Sequence, residues 1–169
     1  QWMPFVELVF GAGSLATGNV RESSDFDLIV GLRQGRIFTA RFFASALTFP
    51  FGWLRRNMDH REEAKDKFCF NHFVTERAYR LSPPHDPYWQ TRYGALVPVF
   101  GARDAIERFF AANADWAGGA RPYREDLRRR YKGKAPVVEL AERMLSGRMG
   151  DALERALKRY QGRRIEAGL

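Results

Sequence analysis

The chain has 169 residues, 45% hydrophobic and 14% aromatic, with 28 Lys and Arg against 20 Asp and Glu. That length suits one compact domain with a buried core; so apolar a composition excludes a disordered chain, and a lone cysteine, Cys69, excludes an internal disulfide framework. The net charge of +8 is uneven, since residues 1–120 hold 14 basic and 13 acidic side chains but residues 121–169 hold 14 and 7.

In chain order, residues 5–10 (FVELVF) read as a short buried strand ended by Gly11-Ala12-Gly13-Ser14. Residues 15–18 suit a brief helical turn and 19–24 a polar loop. Residues 26–32 (FDLIVGL) have the apolar, β-branched character of a second strand. The stretch 37–54 carries Arg41 as its only charge. The run after Arg41 is 13 residues, with Pro50 and Gly52 inside it, too short to span a bilayer, which takes about 20. A buried helix is expected there, ended by Pro50 and Gly52. A charged connector, 55–67, leads to a third strand at 68–75 (FCFNHFVT).

The clearest linker is 82–87 (SPPHDP), beyond which the apolar period becomes helical. Trp89, Tyr93, Leu96 and Phe100 fall on one helical face, and Ile106, Phe109, Phe110, Asn113 and Trp116 on the next. Such spacing reads as core packing rather than as a platform for stacking bases. Two more amphipathic helices follow, one around residues 137–145 and one around 153–160, with Gly147 and Gly150 between. The layout is α+β: a β-rich half, residues 1–81, then a helical half, 82–169, with a basic tail.

Chemistry concentrates in residues 9–30. Gly13 has no Cβ, so its backbone can approach a phosphate closely, and Ser14 adds a hydroxyl and an N–H. Asp25 and Asp27 stand two apart on a strand and project from one face. Two such carboxylates repel each other until a divalent cation lies between them. Mg²⁺ or Mn²⁺ suits these oxygen ligands, completed by water and substrate phosphates. Ser24, just before Asp25, is a further candidate for orienting phosphate.

This segment resembles the signature of the nucleotidyltransferase superfamily that includes DNA polymerase beta: a hydrophobic strand, Gly-Ser, and Asp-x-Asp about ten residues later. The resemblance implies a small mixed sheet flanked by helices and extends to roughly residue 81. It implies that Gly13 and Ser14 bind a nucleoside triphosphate and that Asp25 and Asp27 hold metal for nucleotidyl transfer to an acceptor hydroxyl. The family places a third carboxylate on a later strand. Here 68–75 offers Asn71 and His72 at its centre and no acid, so Asn71 is the candidate for that position. An additional Gly11-Ala12 precedes the Gly-Ser pair, and Thr17-Gly18 stands where the family usually has Arg-Gly.

The missing acid keeps a second reading open, a catalytically decayed nucleotide- or partner-binding module like the antitoxin-like members of the superfamily. A third is a membrane-surface protein using the 37–54 helix and the basic tail. Arg128-Arg129-Arg130 with Tyr131, Lys132 and Lys134 is the best footprint for RNA or another polyanion. Arg55-Arg56 and the pair Lys65 and Lys67 could reach a triphosphate, although solvated faces explain them more simply. His60, His72 and His85 lack metal-ligand spacing. The start of the chain shows no signal-peptide pattern, and a cytoplasmic setting is expected. The sequence chooses neither the nucleotide, the acceptor nor the oligomeric state.

Overall fold

Three of the four strands form where Val, Leu, Ile and Phe crowd together, and their pairing fixes everything around the Gly-Ser and Asp-x-Asp segment. The computed structural model describes residues 2–55, 65–118 and 133–167. Its strands are β1 (Val6–Gly11), β2 (Phe26–Leu32), β3 (Phe68–Thr75) and β4 (Val97–Gly101), in the order β3-β2-β1-β4. β1 pairs antiparallel with β2 and with β4, whereas β2 and β3 run parallel. The helices are α1 (Gly13–Thr17), α2 (Ile37–Thr48), α3 (Pro87–Gly94), α4 (Arg103–Ala112), α5 (Pro136–Met144) and α6 (Arg148–Ala167). The fold is α+β, a small mixed sheet with helices.

Residues 26–32 and 68–75 form strands as expected, and α2 ends at a 3-10 turn over Phe49–Phe51. The helical reading of 97–100 is corrected. Only Pro87–Gly94 is helical, and Val97–Gly101 joins the sheet. Pro98 cannot donate a ladder hydrogen bond, and β4 tolerates it because it is an edge strand. The half beyond residue 82 is therefore not wholly helical: it supplies one strand of the sheet. The last helix also starts earlier than its apolar pattern implies, at Arg148, and runs through Gly150.

The sheet buries a cluster on each face. One joins Leu8, Phe10 and Ile29 to Ile106 and Phe109 of α4 and to Trp116. The other gathers Phe5, Val30, Leu32 and Ala40, with Phe70, Phe73 and Leu145 packed against it. Asn113 organises the loops over the first face. Its Nδ2 donates to the carbonyls of Tyr79 and Phe109 at 2.6 and 2.9 Å. Its Oδ1 accepts from the Leu81 N–H and from Trp116 Nε1, both at 3.0 Å. Every polar valence of this buried amide is thus used.

The C-terminal helices return to the sheet through charged stitches. The buried Glu142 carboxylate accepts from the Phe5 N–H at 2.6 Å and pairs with Arg33 and Lys134. Burial by itself would raise its pKa, but the bonds from Lys134 and Phe5 and the charge of Arg33 outweigh burial, and the net shift is downward. Glu154 of α6 accepts from the Phe38 and Thr39 N–H groups at 3.0 and 2.8 Å, capping α2 from outside its own sequence.

Candidate metal and phosphate site

β1 ends in a sharp change of direction. Gly13 has φ of +59°, and a Cβ there would lie 1.9 Å from Asp27 Oδ2. Only glycine lets the chain turn here with the Asp27 carboxylate packed directly on its backbone. The Ala12 N–H donates to the Asp27 carbonyl at 2.8 Å and locks the turn to β2. Gly13 and Asp27, fourteen positions apart in the chain, therefore lie in direct contact.

β2 alternates, so Asp27 and Ile29 share the face that carries the first cluster. Asp25 stands just before the strand. The parallel register sets Asp27 opposite Cys69, and ligand atoms of Asp25, Asp27 and Cys69 lie within 4.8 Å of one another. Arg55 Nη1 reaches Asp25 Oδ2 at 2.5 Å, and that hydrogen bond raises the Arg55 pKa further. Burial first, then the neighbouring Asp27 and Asp25 charges, pushes the Cys69 thiol up to about 12.

The sequence pointed to Asn71 as the substitute for a third carboxylate. In the structure Leu28 pairs with Phe70 and Ile29 with His72, so Asn71 sits at a bulge without a partner residue on β2. The Asn71 side chain lies outside the described residues. Cys69 takes the place across from Asp27 instead. Strict alternation along β3 conceals this; counting the register from the paired Phe26 and Phe68 reveals it. Arg55 was equally hard to single out, being one of several basic residues in a charged connector.

Of the other candidates, Ser14 is half-buried beside Gly13 on α1. The Ser24 hydroxyl accepts from the Arg21 N–H at 2.9 Å while the Ser24 N–H donates to the Arg21 carbonyl, so Ser24 closes the polar loop. His85 stacks on Trp116 with centroids 4.1 Å apart, a packing role. Residues 56–64, with Arg56 and His60, and the basic run 128–132 lie outside the described residues, while Lys65 is exposed. Beyond Gly13 the same face opens into a cavity of about 290 Å³, whose lining includes Ile29, His72, Trp89 and Tyr93.

The carboxylate pair suits one hard divalent cation, with water and phosphate oxygens completing its shell. The sulfur of Cys69 is a soft donor and a poor ligand for magnesium. Among the described residues no other group of three or more acidic, histidine or cysteine side chains converges in this way. None of the described helices is long and apolar enough to cross a membrane. No protein-family model matches the chain, and neither a search of curated proteins nor one of solved structures finds a match.

Proposed function

We propose that the chain is a divalent-metal-dependent nucleotidyltransferase with a polymerase-beta-like fold, acting on a nucleoside triphosphate and an acceptor hydroxyl. The observation that carries this reading is the packing of the Asp27 carboxylate on the Cβ-less backbone of Gly13, with Asp25 beside it. Asp25 and Asp27 would hold Mg²⁺ or Mn²⁺, and the missing Cβ of Gly13 is what lets the Asp27 carboxylate sit against the turn. The cation supplies neutralisation of charge that develops on the phosphate. Arg55 adds a permanent positive charge at Asp25, positioned to meet phosphate oxygens once the carboxylate has another partner. Positioning and electrostatics account for most of the rate in phosphoryl chemistry. The basic tail supports RNA or another polyanion as acceptor.

A specific observation favours a second reading. With Cys69 opposite Asp27, the residue across from the carboxylate is a soft sulfur donor rather than an acid, and it suits a second magnesium poorly. A module that binds nucleotide without transferring it has no need of a base there. Thermal shift with ATP, GTP, CTP and UTP and Mg²⁺ or Mn²⁺ tests the site, run beside the double variant Asp25→Asn, Asp27→Asn. Stabilisation by a triphosphate with metal, lost in the variant, supports the shared site; its absence in the folded protein overturns both readings. Transfer of an α-³²P label to cellular RNA or protein, against binding alone, separates them.

A further inference from the structure

The cavity beside Gly13 has a composition that the metal and phosphate chemistry does not account for. Ile29 and Leu96 form an apolar floor. Its wall is aromatic. Trp89 and Tyr93, one helical turn apart on α3, stack with centroids 5.6 Å apart. Tyr93 and His72 lie within 3° of parallel, and the Tyr93 hydroxyl and His72 Nδ1 are 3.0 Å apart, hydrogen-bonded. Arg92 stands at the rim with its guanidinium 4.7 Å from the centre of the Tyr88 ring.

The periodicity of Trp89, Tyr93 and Trp116 reads as core. The structure divides the set: Trp116 is buried, while Trp89 and Tyr93 are half-buried and keep ring surface on the cavity. A wall of aromatic rings over an apolar floor, with a guanidinium at the rim, recognises a flat heteroaromatic ring by stacking and edge hydrogen bonds. The volume of about 290 Å³ lies near the low end for small-molecule pockets and accommodates one ring system and its sugar. Ala12 and Gly13 also line this cavity, which sets it beside the turn that packs on the Asp27 carboxylate.

We infer that this cavity, walled by His72, Trp89 and Tyr93 with Arg92 at its rim, binds the base of a single nucleotide whose phosphates lie at Gly13 and Asp27. The phosphate half of this inference rests on the function proposed above; the cavity half does not. α3 then sets base preference, through ring area and the donors of Arg92, while the sheet holds the phosphates.

Calorimetric titration separates the two halves, using Mg²⁺ with inorganic tripolyphosphate, with each of the four nucleoside triphosphates, and with each free nucleoside. At least one triphosphate should bind tenfold or more tightly than tripolyphosphate, and its free nucleoside should compete. Trp89→Leu should reduce that advantage to threefold or less and leave tripolyphosphate binding unchanged. Because Trp89 also packs against the core, His72→Ala serves as a second variant that removes one ring at the surface, with circular dichroism confirming the fold of each. Equal binding of tripolyphosphate and all triphosphates overturns the cavity inference and leaves the metal and phosphate reading standing. Binding of a free nucleoside without tripolyphosphate keeps the cavity and overturns the phosphate reading. Binding of neither overturns both, and a base advantage that survives in both folded variants overturns the cavity inference alone.

Discussion

At the level of single residues, the site depends on one missing side-chain atom and one borrowed charge. Gly13→Ala forces a left-handed alanine, costing about 1–2 kcal/mol from backbone conformation alone. It also drives the new methyl into the Asp27 carboxylate. Urea unfolding should show at least that loss, and any stabilisation by metal and triphosphate should disappear. Arg55 presents the opposite case. Its guanidinium neutralises Asp25 and competes with a cation for the same oxygen. A unit charge at such a distance contributes on the order of 1 kcal/mol even in a water-like dielectric. Arg55→Ala should therefore bind Mn²⁺ about fivefold more tightly or better, as read by electron paramagnetic resonance of the free ion. Unchanged or weaker Mn²⁺ binding would mean that the arginine does not compete there.

At the level of elements, α2 shows how a helix can be completed from elsewhere in the chain. Its N-cap position is Arg36, whose side chain makes no capping bond, and its first turn holds no acidic residue. The missing acceptor comes from α6, where Glu154 takes the Phe38 and Thr39 N–H groups and the Thr39 hydroxyl, the last at 2.7 Å. A carboxylate at this end also meets the positive pole of the helix. Glu154→Ala should cost about 1–2 kcal/mol in denaturant unfolding, the range of a lost cap. Amide exchange at Phe38 and Thr39 should accelerate, and exchange in β1 should follow only the global loss. Protection unchanged at those two amides would show that α2 holds its own first turn.

For the molecule as a whole, one of the links between the C-terminal helices and the rest of the fold is a buried acid, Glu142. Its folded pKa lies below the ordinary 4.5. The stability it contributes is therefore complete above the unfolded value and lost as pH falls through the lower folded value. The protein should lose stability on acidification below about pH 4.5. Glu142→Gln should flatten that part of the profile and cost about 2 kcal/mol at neutral pH, the range for hydrogen bonds to a charged group. Thermal unfolding of both proteins across pH 3–7 measures this. A variant with the parental acid slope would place the acid-sensitive group elsewhere.

The α+β class, two strands with their limits, and the gathering of Gly13, Asp25 and Asp27 in one short segment were legible in the amino-acid order. Those features are local: period-two hydrophobicity, a glycine at a turn and two acids spaced two apart at the start of a strand act over a few residues. Tertiary structure alone decided what stands across from Asp27. β3 enters the sheet with Cys69 across from Asp27, and a register shift at Asn71 then sets His72 rather than Asn71 across from Ile29. Nothing in FCFNHFVT announces that shift, because it arises from matching two strands rather than from one. Residues 97–101 became a strand for the same kind of reason, since an open edge of β1 could pair with them and Pro98 tolerated that edge. Trp89 and Tyr93 kept a helical period compatible with core burial, and only the position of α3 beside Gly13 gave their rings a cavity to line.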